Sequence, residues 1–208
     1  MSGSESFGIE KKGAVMISYL LHPMLIPIYI LIFLFSNSIF ILLPAETKWY
    51  CLLITFVFLV VIPIVSLPLL RRFHFIQNYS LDDKQERIYP ILVTVGAAFA
   101  GFWFLGMVAQ SSIVQQLYLI LIILLSVFSV ITLRWKISMH MTAIGGLCGF
   151  ILSMGLKYPG DIQGSLVLFL LLAGMLASAR LLLKKHTPLQ VYSGFLFGFC
   201  FVLGILIH

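Results

Sequence analysis

Hydrophobic and polar positions do not alternate along this chain; the hydrophobic ones run together. The segments 13–45, 49–70, 88–133, 137–156, 162–179 and 187–208 contain no Asp, Glu, Lys or Arg. A helix needs about 20 apolar residues to cross the hydrocarbon core of a bilayer, and only a structure that satisfies its own backbone groups can do so. The 46 residues of 88–133 are too many for one span, and Gln110-Ser111-Ser112 marks the turn between two. Seven helical spans are therefore predicted, at about 24–43, 50–70, 91–109, 113–133, 139–156, 164–183 and 189–207. The fold class is all-α, a polytopic transmembrane helical bundle of six to seven spans.

Composition agrees with the pattern. With 61% hydrophobic residues, 10% charged residues and a mean hydropathy of +1.11 over 208 residues, the chain is too apolar for a soluble domain. No composition shift divides it, so a single membrane domain is expected over 13–208, after a polar, flexible tail at 1–12 that lacks the layout of a cleavable signal. Cys51, Cys148 and Cys200 fall inside predicted spans without CxxC spacing and read as small core residues, neither disulfides nor metal ligands. Membrane lipids, and no nucleic acid, are the expected surroundings.

Charge adds an orientation. If the spans alternate, eleven of the thirteen basic residues lie on one side with the N-terminus, leaving Lys48 and Lys157 opposite. By the positive-inside rule that side is cytoplasmic, and the expected location is a bacterial inner (plasma) membrane.

Three polar clusters share this side. Residues 81–90, LDDKQERIYP, offer Lys84 and Arg87 ahead of Pro90, which suits the first turn of a helix. Residues 134–141, RWKISMHM, place Ser138 and His140 at the entrance to the next span, where a serine also suits a helix cap. In 179–194, ARLLLKKHTPLQVYSG, Thr187-Pro188 reads as an N-cap and first helical residue, which sets His186 at an electropositive helix start. Arg180 is costly in hydrocarbon unless it faces a polar cavity. Cations and helix N-termini together suit a phosphate, and two histidines supply a nucleophile and an acid.

The spacing of Arg180, His186, Gln190 and Gly194 resembles the third signature of the type 2 phosphatidic acid phosphatase superfamily, S-R-x5-H-x3-D. Ser138-Met139-His140 is similar to its second signature, P-S-G-H, and Lys84 through Pro90 to a rearranged first, K-x6-R-P. The resemblance implies a phosphatidic-acid-phosphatase-like core and a metal-independent lipid phosphate or diphosphate phosphatase. It implies His186 as the nucleophile that becomes phosphohistidine, His140 as the general acid, and Arg180, Arg87, Ser138 and Lys84 as phosphate-binding groups. No cofactor and no metal are implied; the partner is a lipid phosphate substrate. The chain departs from the pattern at Gln190, where the family has Asp, and at Ile137, Met139 and Ala179.

Two other readings compete. A lipid-phosphate binder or transporter on the same scaffold would account for Gln190, whose amide carries no charge to stabilise an imidazolium. Asp82, Asp83 and Glu86 could instead hold Mg²⁺ on a diphosphate, but the only acid that follows them is Asp161, on the opposite side. The pairs Gly145 with Gly149 and Gly194 with Gly198 read as close helix contacts. His22 and Pro23 mark a bend, and His22 is assigned no role.

Overall fold

A computed structural model describes residues 3–37, 43–79, 86–108, 111–158 and 162–208. Among them every regular element is helical: α1 (Gly3–Leu20), α2 (Ile26–Ser36), α3 (Ala45–Phe56), a π turn (Val57–Val61), α4 (Ile62–Arg72), α5 (Ile88–Val108), α6 (Ser112–Arg134), α7 (Met139–Lys157), α8 (Gln163–Leu182) and α9 (Pro188–Ile207). Six helices are long and apolar enough to cross a membrane: Ala45–Arg72, which runs through α3, the π turn and α4, and then α5 to α9. These match the last six predicted spans. The first differs, because α2 is an apolar helix of 11 residues, shorter than a span, and 38–42 lie outside the described residues. The polar tail differs too, since the chain is helical from Gly3.

The chain folds as two compact units, Met1–Ile26 with Ile137–His208, and Pro27–Lys136. In the second unit, Thr55 and Tyr118 are buried and the tyrosine hydroxyl donates to Thr55 Oγ1 at 3.1 Å, joining α3 to α6. Gly101 leaves room for that tyrosine, because an added Cβ would stand 2.7 Å from its ring. Pro63 in the first turn of α4 has no N–H for the carbonyl four residues earlier. The π turn lies immediately before it, a local widening of the kind such breaks induce.

The first unit is built around α7. Two thirds of its apolar window is buried (67%), against 17% for α8 and 28% for α9, whose remaining surface is left for lipid. Helix association in lipid relies on close packing and not on burial from water, and α7 achieves it with glycines. A Cβ on Gly145 or Gly149 would strike the backbone carbonyl of Phe195 or Phe199 on α9. From the other side, a Cβ on Gly198 would strike the Thr142 carbonyl, and one on Gly194 would stand 2.8 Å from the Ser138 carbonyl. The two helix backbones are therefore in contact along two turns. The helix propensity that glycine forfeits, about 1 kcal/mol per residue, is offset by this contact.

Gly198→Ala should destabilise the protein by about 1–3 kcal/mol, because the carbonyl it meets belongs to the backbone and cannot rotate away. Gly174→Ala, on an α8 face with nothing within 4 Å, should instead be neutral or stabilising by up to about 1 kcal/mol. Thermal unfolding of both variants in one detergent checks the contrast; equal effects would contradict the backbone contact.

Candidate functional site

The α7–α9 contact brings two helix starts together. Ser138 sits at the N-cap position of α7, and its backbone N–H donates to the Gln190 carbonyl in the first turn of α9 at 3.1 Å. Its carbonyl accepts from the Thr142 N–H (2.9 Å) and hydroxyl (3.1 Å). Its own hydroxyl makes no capping bond: Ser138 is fully buried and its Oγ has no hydrogen-bond partner. The side-chain cap expected there is thus absent, and a buried hydroxyl is left to bond something else.

α8 ends in a Schellman motif. The Lys185 N–H donates to the Arg180 carbonyl (3.2 Å) and the Lys184 N–H to the Leu181 carbonyl (2.9 Å). Lys184 takes the left-handed conformation, φ 52°, that glycine ordinarily fills there. The chain turns sharply, and the short connection 183–187 delivers buried His186 to the start of α9.

α9 opens as the sequence predicts. Thr187 is the N-cap, Pro188 follows, and Thr187 and Gln190 form a capping box. The Thr187 N–H donates to Gln190 Oε1 at 3.1 Å, and the Gln190 N–H to Thr187 Oγ1 at 3.5 Å. His186 Nδ1 lies 3.3 Å from the same Gln190 Oε1. A backbone N–H only donates, so the amide atom facing it is the oxygen; an oxygen only accepts, so Nδ1 of His186 carries the proton. His186 therefore carries a hydrogen on Nδ1, so that in its neutral form the lone pair is on Nε2.

His140, in the first turn of α7, completes the cluster. Its ring is hydrogen-bonded to the backbone of Ser18 on α1, and Arg180, His22 and His186 lie within electrostatic reach of it. His22 stands edge to face with it, ring centroids 5.3 Å apart and planes at 83°. Ser18, at this same contact, is buried and its hydroxyl too has no hydrogen-bond partner.

Of the residues singled out in the sequence, His186, His140, Gln190, Arg180 and Ser138 belong to this one unit. Arg87 precedes α5 in the other unit. Lys84 lies outside the described residues, as do Asp82, Asp83 and Asp161. No group of three or more His, Cys, Asp or Glu suited to a metal occurs among the described residues. Sequence reasoning missed His22. The signal was available: His22 precedes the first apolar run on the side where the three polar clusters gather, so the same sidedness includes it.

Burial first, and the Arg180 guanidinium second, hold the His22 imidazole below its ordinary value of 6.5. Below that value an unfolded chain takes up a proton that folded His22 refuses, so stability falls as pH drops through 6.5. Unfolding in detergent between about pH 8 and pH 5 should show this decline, and His22→Gln should flatten part of it. Identical slopes for the two proteins would contradict the assignment.

No protein-family model, no curated protein and no solved structure matches this chain.

Proposed function

We propose that the protein is a membrane-embedded lipid phosphate or diphosphate phosphatase that works through a phosphohistidine, without a metal. The observation that carries this reading is the Nδ1–H form of His186, set by Gln190 Oε1. A histidine so fixed, when neutral, has its lone pair on Nε2 at a helix N-terminus, in a unit that also supplies a guanidinium and a second imidazole.

The chemistry follows from the groups. The substrate phosphate is held by Arg180, by the starts of α7 and α9, and by the otherwise unpartnered Ser138 hydroxyl. Nε2 of His186 attacks phosphorus; the N–P bond forms as the P–O bond to the lipid breaks. With the negative charge of the bound phosphate offsetting Arg180, His140 takes up a proton and gives it to the departing oxygen. Neutral His140 then takes a proton from water, which attacks the phosphohistidine; inorganic phosphate leaves and His186 is restored. The Ser18 backbone bond occupies one nitrogen of His140, so the other handles the transferred proton. The site lies at the ends of apolar spans, where a phosphate carried on a lipid reaches it without leaving the membrane.

A second reading, a non-catalytic lipid-phosphate binder or transporter, is favoured by one observation. Gln190 gives the His186 ring a neutral acceptor, which orients it but does little to stabilise the charge it gains on phosphorylation.

Purified protein given a panel of lipid phosphates and diphosphates in detergent with EDTA should release phosphate, and His186→Ala should lower release by roughly a thousandfold. Binding without release would favour the second reading, and release that persists in His186→Ala would overturn the phosphohistidine. Gln190→Glu keeps the acceptor for both His186 and Thr187, since glutamate also serves a capping box. It adds the missing charge and should raise kcat; an unchanged or lower kcat would show that the ring's charge does not limit the reaction.

A further inference from the structure

Ser18 lies in the last turn of α1, and His22 follows the helix by two residues in the turn that ends it. Ala14 and Ser18, with Leu21 just beyond the helix, form a buried stripe, while Met16, Tyr19 and Leu20 are exposed; His22 stands half-buried at the end of that stripe. His22 is pinned where it stands. Its N–H donates to the Tyr19 carbonyl at 3.3 Å, its carbonyl accepts from the Leu25 N–H at 2.9 Å, and its Nδ1 accepts from the Met24 N–H at 3.3 Å. A ring nitrogen that accepts from a backbone N–H carries no proton, so His22 is a neutral imidazole with its hydrogen on Nε2. Protonating Nδ1 would break that turn.

His140 meets both residues. Its ring is bonded to the Ser18 backbone, whose carbonyl is the acceptor such a ring N–H needs, and it packs edge to face on His22. The two contacts do different things. Rotation of an imidazole about χ2 is broad and roughly two-fold. One hydrogen bond selects which nitrogen is engaged but leaves the ring plane free; a perpendicular aromatic neighbour fixes the plane. The other charged or titratable groups facing His140 are Arg180 from α8 and His186 ahead of α9.

We infer that His22 is a positioning residue: together with the Ser18 carbonyl, it holds the His140 ring in one tautomer and one plane, so that α1 forms a wall of the site. This rests on the phosphatase reading for its kinetic consequence, but the geometry it asserts is independent of turnover. A general acid delivers its proton only along the direction its N–H points, so a ring that rotates away loses rate without losing substrate affinity.

The test uses ¹⁵N-histidine NMR of the full chain in detergent at about pH 8, where an ordinary imidazole is neutral, with wild type, His22→Ala and His22→Phe. The five histidines make assignment by substitution feasible. Wild type should show His22 as the Nε2–H form and His140 as a single tautomer. In His22→Ala the ring, no longer held in its plane, turns away from the Ser18 carbonyl for part of the time, and the His140 signals should shift toward the averaged values of mixed tautomers. His22→Phe, which keeps a ring at the contact, should restore the single form. Phosphate release should follow, with kcat lowered about tenfold in His22→Ala at unchanged KM, and recovered in His22→Phe. Unchanged His140 ring signals in His22→Ala would overturn the inference whatever the activity. If wild type releases no phosphate, the phosphatase reading fails, and the NMR arms still decide the role of His22.

Discussion

The bonds at this site depend on one contact, the meeting of the α7 and α9 backbones through glycines. In lipid, two helices gain nothing by hiding apolar side chains from each other, so approach must be earned by fit. Side chains larger than hydrogen at Gly145, Gly149, Gly194 and Gly198 would push the helices apart. With them apart, Ser138 could not reach the Gln190 carbonyl, and the two helix starts would not lie side by side. A packing device in the middle of the membrane thus sets hydrogen-bond geometry at its edge.

The second economy is at Gln190. A single amide oxygen serves the Thr187 N–H, which α9 would otherwise leave unsatisfied, and the ring nitrogen of His186. The residue that begins the helix therefore also selects the form of the histidine before it. Stability of the cap and orientation of the histidine are coupled through one atom. The same connection accepts a left-handed lysine at position 184, where glycine would cost less, and keeps three basic or titratable side chains in succession.

Much of this was legible in the sequence. Six spans follow from the lengths of uncharged runs alone, because hydrocarbon thickness fixes helix length. The glycine spacings announced close helix contacts, though not that the two glycine pairs meet each other, and Thr187-Pro188 announced the start of α9. Central α7 is the least apolar of the six long helices, mean hydropathy 1.5 against 2.1 for α8 and 2.0 for α9, because its glycines and small polar residues face other helices and not lipid. Hydropathy overextended the first span, where apolar character persists beyond the short helix α2. α1 was hidden for a different reason. Its buried stripe contains Ser18, whose polarity breaks the apolar period, and its first turns are rich in Gly and Ser. Ser138 was read as a cap because capping is what serine does most often at such a position; only the fold shows the backbone taking that role and the hydroxyl left over. His22 was passed over because a histidine before a proline reads as a bend, and a bend is also what it is.

The division of the chain carries a consequence for the order in which the protein is made. The unit that holds the site joins Met1–Ile26 to Ile137–His208, whereas Pro27–Lys136 is continuous. A ribosome releases α1 first and α9 last, and domains tend to fold as they emerge. The continuous unit can assemble while synthesis proceeds, but Ser18 and His22 must wait for more than a hundred residues before His140 and Arg180 exist to meet them. Closing so long a loop costs only slightly more than closing a short one but delays the encounter. The nascent protein therefore enters the membrane with this cluster in two pieces, and the cluster is complete only when the last helix has seated against the seventh.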